Sequence, residues 1–196
     1  MKNWLFAGAV AAALCISTAV SGATPDAPAT IVHSVERVVD GDTVVVVVKA
    51  GGGRTTIRLA SIDAPELKMS YGNASRHALE RLLADQDVQV RLQKKDRYGR
   101  WVGALIVNGE DINLKMVALG WAWHYTQYAK EQPSEEASLY AEAQKSAEQA
   151  HLGLWHGAAP IPPWDWRQRC RHGSPQGRPD FCWKPPSIPV KATDTP

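Results

Sequence analysis

The chain has 196 residues, 44% hydrophobic and 21% charged, which excludes a disordered, collagenous or fibrous protein and allows one globular domain with tails. Its 22 Lys and Arg against 20 Asp and Glu give a formal charge of +2, too small to point to a partner by global charge. Local charge is more informative. Residues 91–100, RLQKKDRYGR, carry five bases and one acid, and residues 134–148 carry four acids and one base.

The opening, MKNWLFAGAVAAALCISTAVSGA, sets Lys2 before an apolar run from Trp4 and ends in the small residues Ser21 and Ala23, which predicts an export signal over residues 1–23. Cys15, Ser17 and Thr18 interrupt the run, leaving it short of the roughly 20 apolar residues of a membrane span. Leu14 fills the place where a lipid-acceptor Cys15 would need a small residue. Loss of the signal removes Lys2 and leaves 21 bases against 20 acids, a charge near +1. Residues 24–30, TPDAPAT, form a linker without apolar periodicity. The expected location is outside the cytoplasm, periplasmic or secreted.

IVHSVERVV, TVVVVVKA and TTIRLASI are β-branched runs separated by DGD and GGG, the pattern of three antiparallel strands joined by tight turns. From Asn73, a suitable N-cap, apolar residues at Ala74, Ala78, Leu79, Leu82 and Leu83 predict a helix. DVQVRLQ and WVGALIVN resume the strand pattern, the second ending at Asn108-Gly109. Two helices follow, one near Ile112–Leu119 that stops at Gly120 and one from Ser134 with Glu135 and Glu136 in its first turn. Beyond Trp155 the helix signals cease, and the tail from Ala158 holds nine of the 13 prolines. Five strands and three helices predict an α+β fold, a closed five-stranded Greek-key barrel of the oligonucleotide-binding type over residues 31–157, with residues 158–196 as a tail rich in Pro, Trp and Arg.

After signal removal two cysteines remain, Cys170 and Cys182, and in an oxidising compartment they have one pairing available, a disulfide within the tail. A zinc site is disfavoured because His172 is the one nearby histidine. The tail's bases and Trp164 or Trp166 suit either a basic flap over nucleic acid or a strap sealing an apolar patch.

The stretch DGDTVVVVVKAGGGRTTIRLASIDAPE carries most of the chemistry. Asp42 opens one strand and Asp63 ends another just before Pro65, so both can meet at one barrel end. Taken singly, Asp40, Asp42 and Asp63 are ordinary turn and capping residues. As a pair, two carboxylates repel unless a cation or proton relieves them, which suits a hard divalent ion. Glu66 has the reach to hold a water beside such an ion. Arg58 is five residues from Asp63, an odd spacing that puts them on opposite faces of a regular strand, so Arg58 is a surface residue unless a bulge intervenes. Arg100 follows the tight Tyr98-Gly99 turn. Two arginines, an ion and a water held by a carboxylate are the parts required to attack a phosphodiester.

VVDGDTV, IRLASIDAPE, YGNAS, DRYGRWVGALIVNGEDINLKMVALGWAW and AEAQKSAEQAHLGLW, in that order, resemble the staphylococcal nuclease (thermonuclease) family from about Ile31 to Trp155. The resemblance implies a calcium-dependent endonuclease that cuts DNA and RNA to 3′-phosphate and 5′-hydroxyl ends. It implies Ca2+ ligation by Asp42, Asp63 and the backbone carbonyl of Ala64, where the family has threonine. It further implies Glu66 as general base or water-orienting group, Arg58 and Arg100 on the scissile phosphate, and Asp40 near the ion. Arg97, Tyr98 and Tyr128 match the substrate pocket. Thr126 stands where the family has another tyrosine, for which Tyr125 or Trp123 could substitute. His124, His151 and His156 take structural or surface places. The segment from Glu66 to Tyr71 is shorter than the family's lysine-bearing loop, and the tail has no counterpart. DNA and RNA are the expected partners, with no membrane attachment after signal cleavage, and the chain is expected to be a monomer. A non-catalytic nucleic-acid-binding barrel is the alternative. An oligosaccharide-binding barrel would explain the aromatics but not the arginines facing carboxylates.

Overall fold

The computed structural model describes residues 32–49, 51–157 and 159–172. The predicted signal and linker lie outside them, as does Cys182. Strands β1 (Val32–Asp40), β2 (Thr43–Val48) and β3 (Arg54–Leu59) form the antiparallel meander expected from their β-branched runs. A two-residue strand β4 (Ile62–Asp63) and helix α1 (Gly72–Leu83) precede the hairpin of β5 (Asp87–Lys95) and β6 (Trp101–Val107). Then come β7 (Glu110–Asp111), α2 (Ile112–Ala118), β8 (Trp123–His124), a 3-10 turn over Thr126–Glu131, α3 (Ser134–Gln149), and a second 3-10 turn over Gly153–His156.

The strands run in the order β3-β2-β1-β5-β6, and a parallel pairing of β3 with β6 closes the ring. This is the five-stranded barrel predicted from the sequence. Inside it lie Val44, Val46, Ile57, Leu59 and Leu105, against Leu79 of α1 and Ile112 and Met116 of α2. The Asp111 side chain caps α2 by accepting the Leu114 N–H at 3.1 Å and takes a second bond from the Tyr140 hydroxyl of α3.

Three features depart from the sequence pattern. β3 ends at Leu59 rather than continuing to Ile62, because the chain folds back through Ser61 at φ 67°. α1 begins at Gly72, with Tyr71 and not Asn73 at the N-cap position, because a tight turn from Glu66 to Gly72 feeds directly into it. Beyond Trp155, where no helix was expected, a fourth helix α4 spans Pro163–His172. Proline at a first helical position costs no hydrogen bond, since that N–H has no intrahelical partner.

One polar side chain pins the closing seam. Asn113, fully buried, donates to the carbonyls of Ala60 and Gly103 at 3.0 and 3.1 Å and accepts the Leu105 N–H at 3.2 Å. Asn113→Ala strips partners from buried backbone groups beside the β3–β6 junction. The Gly103 carbonyl keeps the Ala60 N–H, so two groups lose the amide, and the unfolding free energy should fall by about 2 to 6 kcal/mol, at roughly 1 to 3 for each buried polar group left unpaired. Urea denaturation measures this, and a variant as stable as the parent would show that the seam holds without the amide.

Candidate active site

The turn between β1 and β2 brings the first carboxylates to one barrel end. Irregular pairing in β1 between Val35 and Arg37 and between Val38 and Asp40 bends the strand just before the turn, as bulges near functional sites do. Asp40 Oδ1 then accepts the Asp42 N–H at 3.0 Å. Gly41 must lack a side chain, since a Cβ there would lie 2.0 Å from Ser75 Oγ of α1. Asp42 is buried, with Oδ1 accepting Thr43 Oγ1 at 3.0 Å and Oδ2 accepting the Ala64 N–H at 2.8 Å.

The fold-back at Ser61 resolves the odd spacing between Arg58 and Asp63. Arg58 Nη1 donates to the carbonyls of Leu59 and Ile62 at 2.7 and 2.9 Å. Nη2 reaches Asp63 Oδ1 at 2.9 Å, and Nε lies 3.1 Å from Asp42 Oδ1. Burial works against the guanidinium charge, but Asp42, Asp63 and Asp40 outweigh it and raise its pKa. Asp63, in β4 opposite Trp123 of β8, has a side chain only 1% exposed.

Glu66 enters from the turn after β4. Its carbonyl accepts the Met69 N–H at 2.7 Å, and a Cβ on Gly72 would come within 2.1 Å of that oxygen. The glycine is therefore what allows the turn to close beneath Glu66.

The acids are bridged from an unexpected direction. Arg167 of α4 places Nη2 2.7 Å from Asp63 Oδ2 and Nη1 3.2 Å from Asp63 Oδ1 and 2.9 Å from Glu66 Oε1. Trp164, one turn earlier on α4, stacks on Tyr125 with ring centroids 5.4 Å apart and meets Trp123 edge-on at 6.5 Å. Sequence reasoning counted Arg167 only among the bases of the tail. Its signal was the three-residue spacing from Trp164, which acquires meaning only once a helix puts both on one face.

Arg100 stays apart from the carboxylates. Its Nε and Nη2 hold Asp96 Oδ2, each at 2.8 Å. Burial pushes Asp96 upward, but hydrogen bonds from the Arg100 side chain and amide outweigh it and lower its pKa. The β3–β6 pairing sets Arg58 opposite Val102, so Arg100 enters the same seam two residues earlier without touching the acids. Arg97 and Arg100 lie over the exposed Tyr98 ring, 4.9 and 5.5 Å from its centroid. Tyr128, also exposed, tilts against Tyr125 at 5.0 Å. Trp123 is buried, and Thr126 is exposed at the start of its 3-10 turn. His124 is buried in a structural role, with its ring bonded to Gln132.

Four acids, Asp40, Asp42, Asp63 and Glu66, face two guanidiniums. Burial, reinforced by the Asp42 charge, pushes Asp40 up to about 7. Burial also raises Asp63 to about 6, against the hydrogen bond from Arg167 and the charge of Arg58. The surplus of oxygen donors with raised proton affinity fits a hard divalent cation. Among the described residues no three or more His, Cys, Asp or Glu converge as a closed metal site. Any such ion would draw much of its shell from carbonyls and water.

Residues 56–157 match the family described as Staphylococcal nuclease homologue. The chain belongs to the staphylococcal nuclease family. An uncharacterized endonuclease of Escherichia coli O157:H7 is 40% identical over 136 residues, covering 69% of this chain and 84% of that protein. One of Haemophilus influenzae is 36% identical over 135 residues, 69% of this chain and 72% of that protein. A probable staphylococcal-like nuclease of Oryza sativa subsp. japonica is 40% identical over 116 residues, 59% of this chain but only 29% of its own length. The matched region of the nuclease includes Arg58, Asp63, Glu66 and Arg100 but stops before α4 and Arg167.

The raised acids also set a pH dependence. Asp40 and Asp63 keep their protons in the folded nuclease at pH values where the unfolded chain, with an ordinary value of 3.8, has released them. The folded state thus binds more protons between about pH 4 and about pH 7, and these groups make stability fall as pH rises through that window. Asp40→Asn should flatten the fall in urea denaturation across the window. A profile as steep as the parent's would remove Asp40 as its source.

Proposed function

We propose that this nuclease is a calcium-dependent endonuclease acting on DNA and RNA outside the cytoplasm, leaving 3′-phosphate and 5′-hydroxyl ends. The observation that carries the proposal is the buried pair Asp42 and Asp63 joined through Arg58 at the barrel end. A barrel that needed no charge there would not bury two carboxylates and a guanidinium.

Asp42, Asp63 and the Ala64 carbonyl are the residues to hold calcium, which when bound supplies positive charge against the phosphate oxygens and polarises water. Glu66 accepts a proton from the attacking water. The water oxygen bonds to phosphorus, the bond from phosphorus to the 5′ oxygen breaks, and the departing oxygen takes up a proton to become the 5′-hydroxyl. Arg58 has one Nη2 hydrogen without a partner among the described residues, and Arg100 has its whole Nη1 group. These donors suit the non-bridging oxygens, where charge builds up in the transition state, and one of the two arginines also assists the leaving oxygen. Arg97, Tyr98 and Tyr128 offer cationic and aromatic surface to the neighbouring nucleotide.

Export rests on the N-terminal residues 1–23, and the disulfide expected between Cys170 and Cys182 would accord with an extracytoplasmic site. No helix among the described residues is long and apolar enough to cross a membrane. The proposal takes the chain as a monomer free of the membrane.

Purified protein should cleave single-stranded and duplex DNA with calcium and leave both intact with a chelator. Intact DNA in both, with tight salt-sensitive binding, would instead favour a non-catalytic binding barrel. Glu66→Gln should retain the fold and calcium binding while lowering the cleavage rate by roughly 10²- to 10⁴-fold, the usual contribution of general-base catalysis. Undiminished cleavage would take Glu66 out of the mechanism.

A further inference from the structure

We propose that Arg167 is a built-in counter-ion of the active site, a side chain of α4 that holds the Asp63 and Glu66 carboxylates closed until a divalent cation displaces it. The inference rests on the assignment of Asp63 as a cation ligand made above.

Asp63 Oδ1 is shared between Arg58 and Arg167, whereas Oδ2 has Arg167 as its partner at 2.7 Å. Departure of Arg167 therefore frees Asp63 Oδ2 and Glu66 Oε1 together, while Arg58 continues to hold Oδ1. One movement opens both the ligand and the base. A guanidinium bonded to both oxygens of a carboxylate and a divalent ion on the same oxygens repel each other, so the two states exclude one another.

The two arginines differ in how firmly they are fixed. Arg58 is 14% exposed and donates to two main-chain carbonyls as well as to the acids. Arg167 is 32% exposed, holds Asp63 and Glu66 at 2.7 to 3.2 Å and bonds the Tyr125 side chain, with no main-chain carbonyl among these partners. Its helix is seated by the buried Pro163 and by Trp164 against Tyr125 and Trp123. The rings position the plug, and the carboxylates give it a reason to stay while no cation competes.

Calorimetric calcium titration of the purified protein, Arg167→Gln and Trp164→Ala tests this. The second variant loosens α4 without touching a carboxylate partner. Both variants should bind calcium at least about tenfold more tightly, since a site closed nine-tenths of the time loses that factor in apparent affinity. Cleavage should rise in both variants at limiting calcium and converge with the parent at saturation. Calcium should also speed amide exchange in α4 of the parent.

Equal or weaker calcium affinity in Arg167→Gln would overturn the proposal. So would cleavage that falls at every calcium concentration, which would instead make Arg167 a substrate-holding residue. Absence of calcium binding in all three proteins would overturn this inference together with the calcium assignment. Tighter binding without cleavage at any calcium concentration would leave the counter-ion standing and refute the endonuclease proposal alone.

Discussion

Burying the Arg58 guanidinium is the constraint on which the rest of the site depends. A charge taken out of water costs several kcal/mol unless well-placed partners surround it. Arg58 finds them on three segments, the β1–β2 turn through Asp42, the end of β3 through the Leu59 carbonyl, and β4 through the Ile62 carbonyl and Asp63. The dependence is mutual. Asp42 and Asp63 could not both be buried beside each other without this cation between them, and the fold-back at Ser61 is the geometry that lets it reach both.

Close backbone approach supplies the remaining precision. Gly41 lets the β1–β2 turn press against Ser75 of α1, and Gly72 lets the start of the same helix pass the Glu66 carbonyl. A single helix thus fixes the height of Asp42 and of Glu66, which are 24 residues apart in sequence. Ser75 adds a bond from its hydroxyl to the Trp121 carbonyl at 2.7 Å, tying α1 to the segment that leads into β8. Since β8 pairs with β4, the same contact braces Asp63.

The barrel was legible because its strands are β-branched runs punctuated by glycine and its first three helices carry apolar faces, both local signals. The carboxylates were legible as a set, since Asp42 and Asp63 stand at strand ends where a turn residue is the only other explanation. Arg58 was not placed by periodicity, because one residue at positive φ, Ser61, reverses the chain and no propensity marks a serine for that role. α4 was hidden for a different reason. Its stability comes from aromatic packing on Trp123 and Tyr125, residues some 40 positions earlier, and its flanks are dominated by proline, which signals loop in any local window. The contact between Arg167 and Asp63 spans 104 residues, and nothing local predicts a contact of that separation.

Four acids around the single buried guanidinium of Arg58 leave the site short of positive charge, and the protein has limited ways to relieve it. Protonation of Asp40 and Asp63 is one, and it weakens as pH rises toward neutrality. A guanidinium from α4 is another, and it needs no solute. A divalent cation relieves the same deficit more completely, because it brings two charges to oxygens that the arginines only share. The features that make this acid cluster costly to bury are therefore those that would favour a bound cation, and under the proposed calcium dependence the control of cleavage derives from the same electrostatic strain that the fold must tolerate.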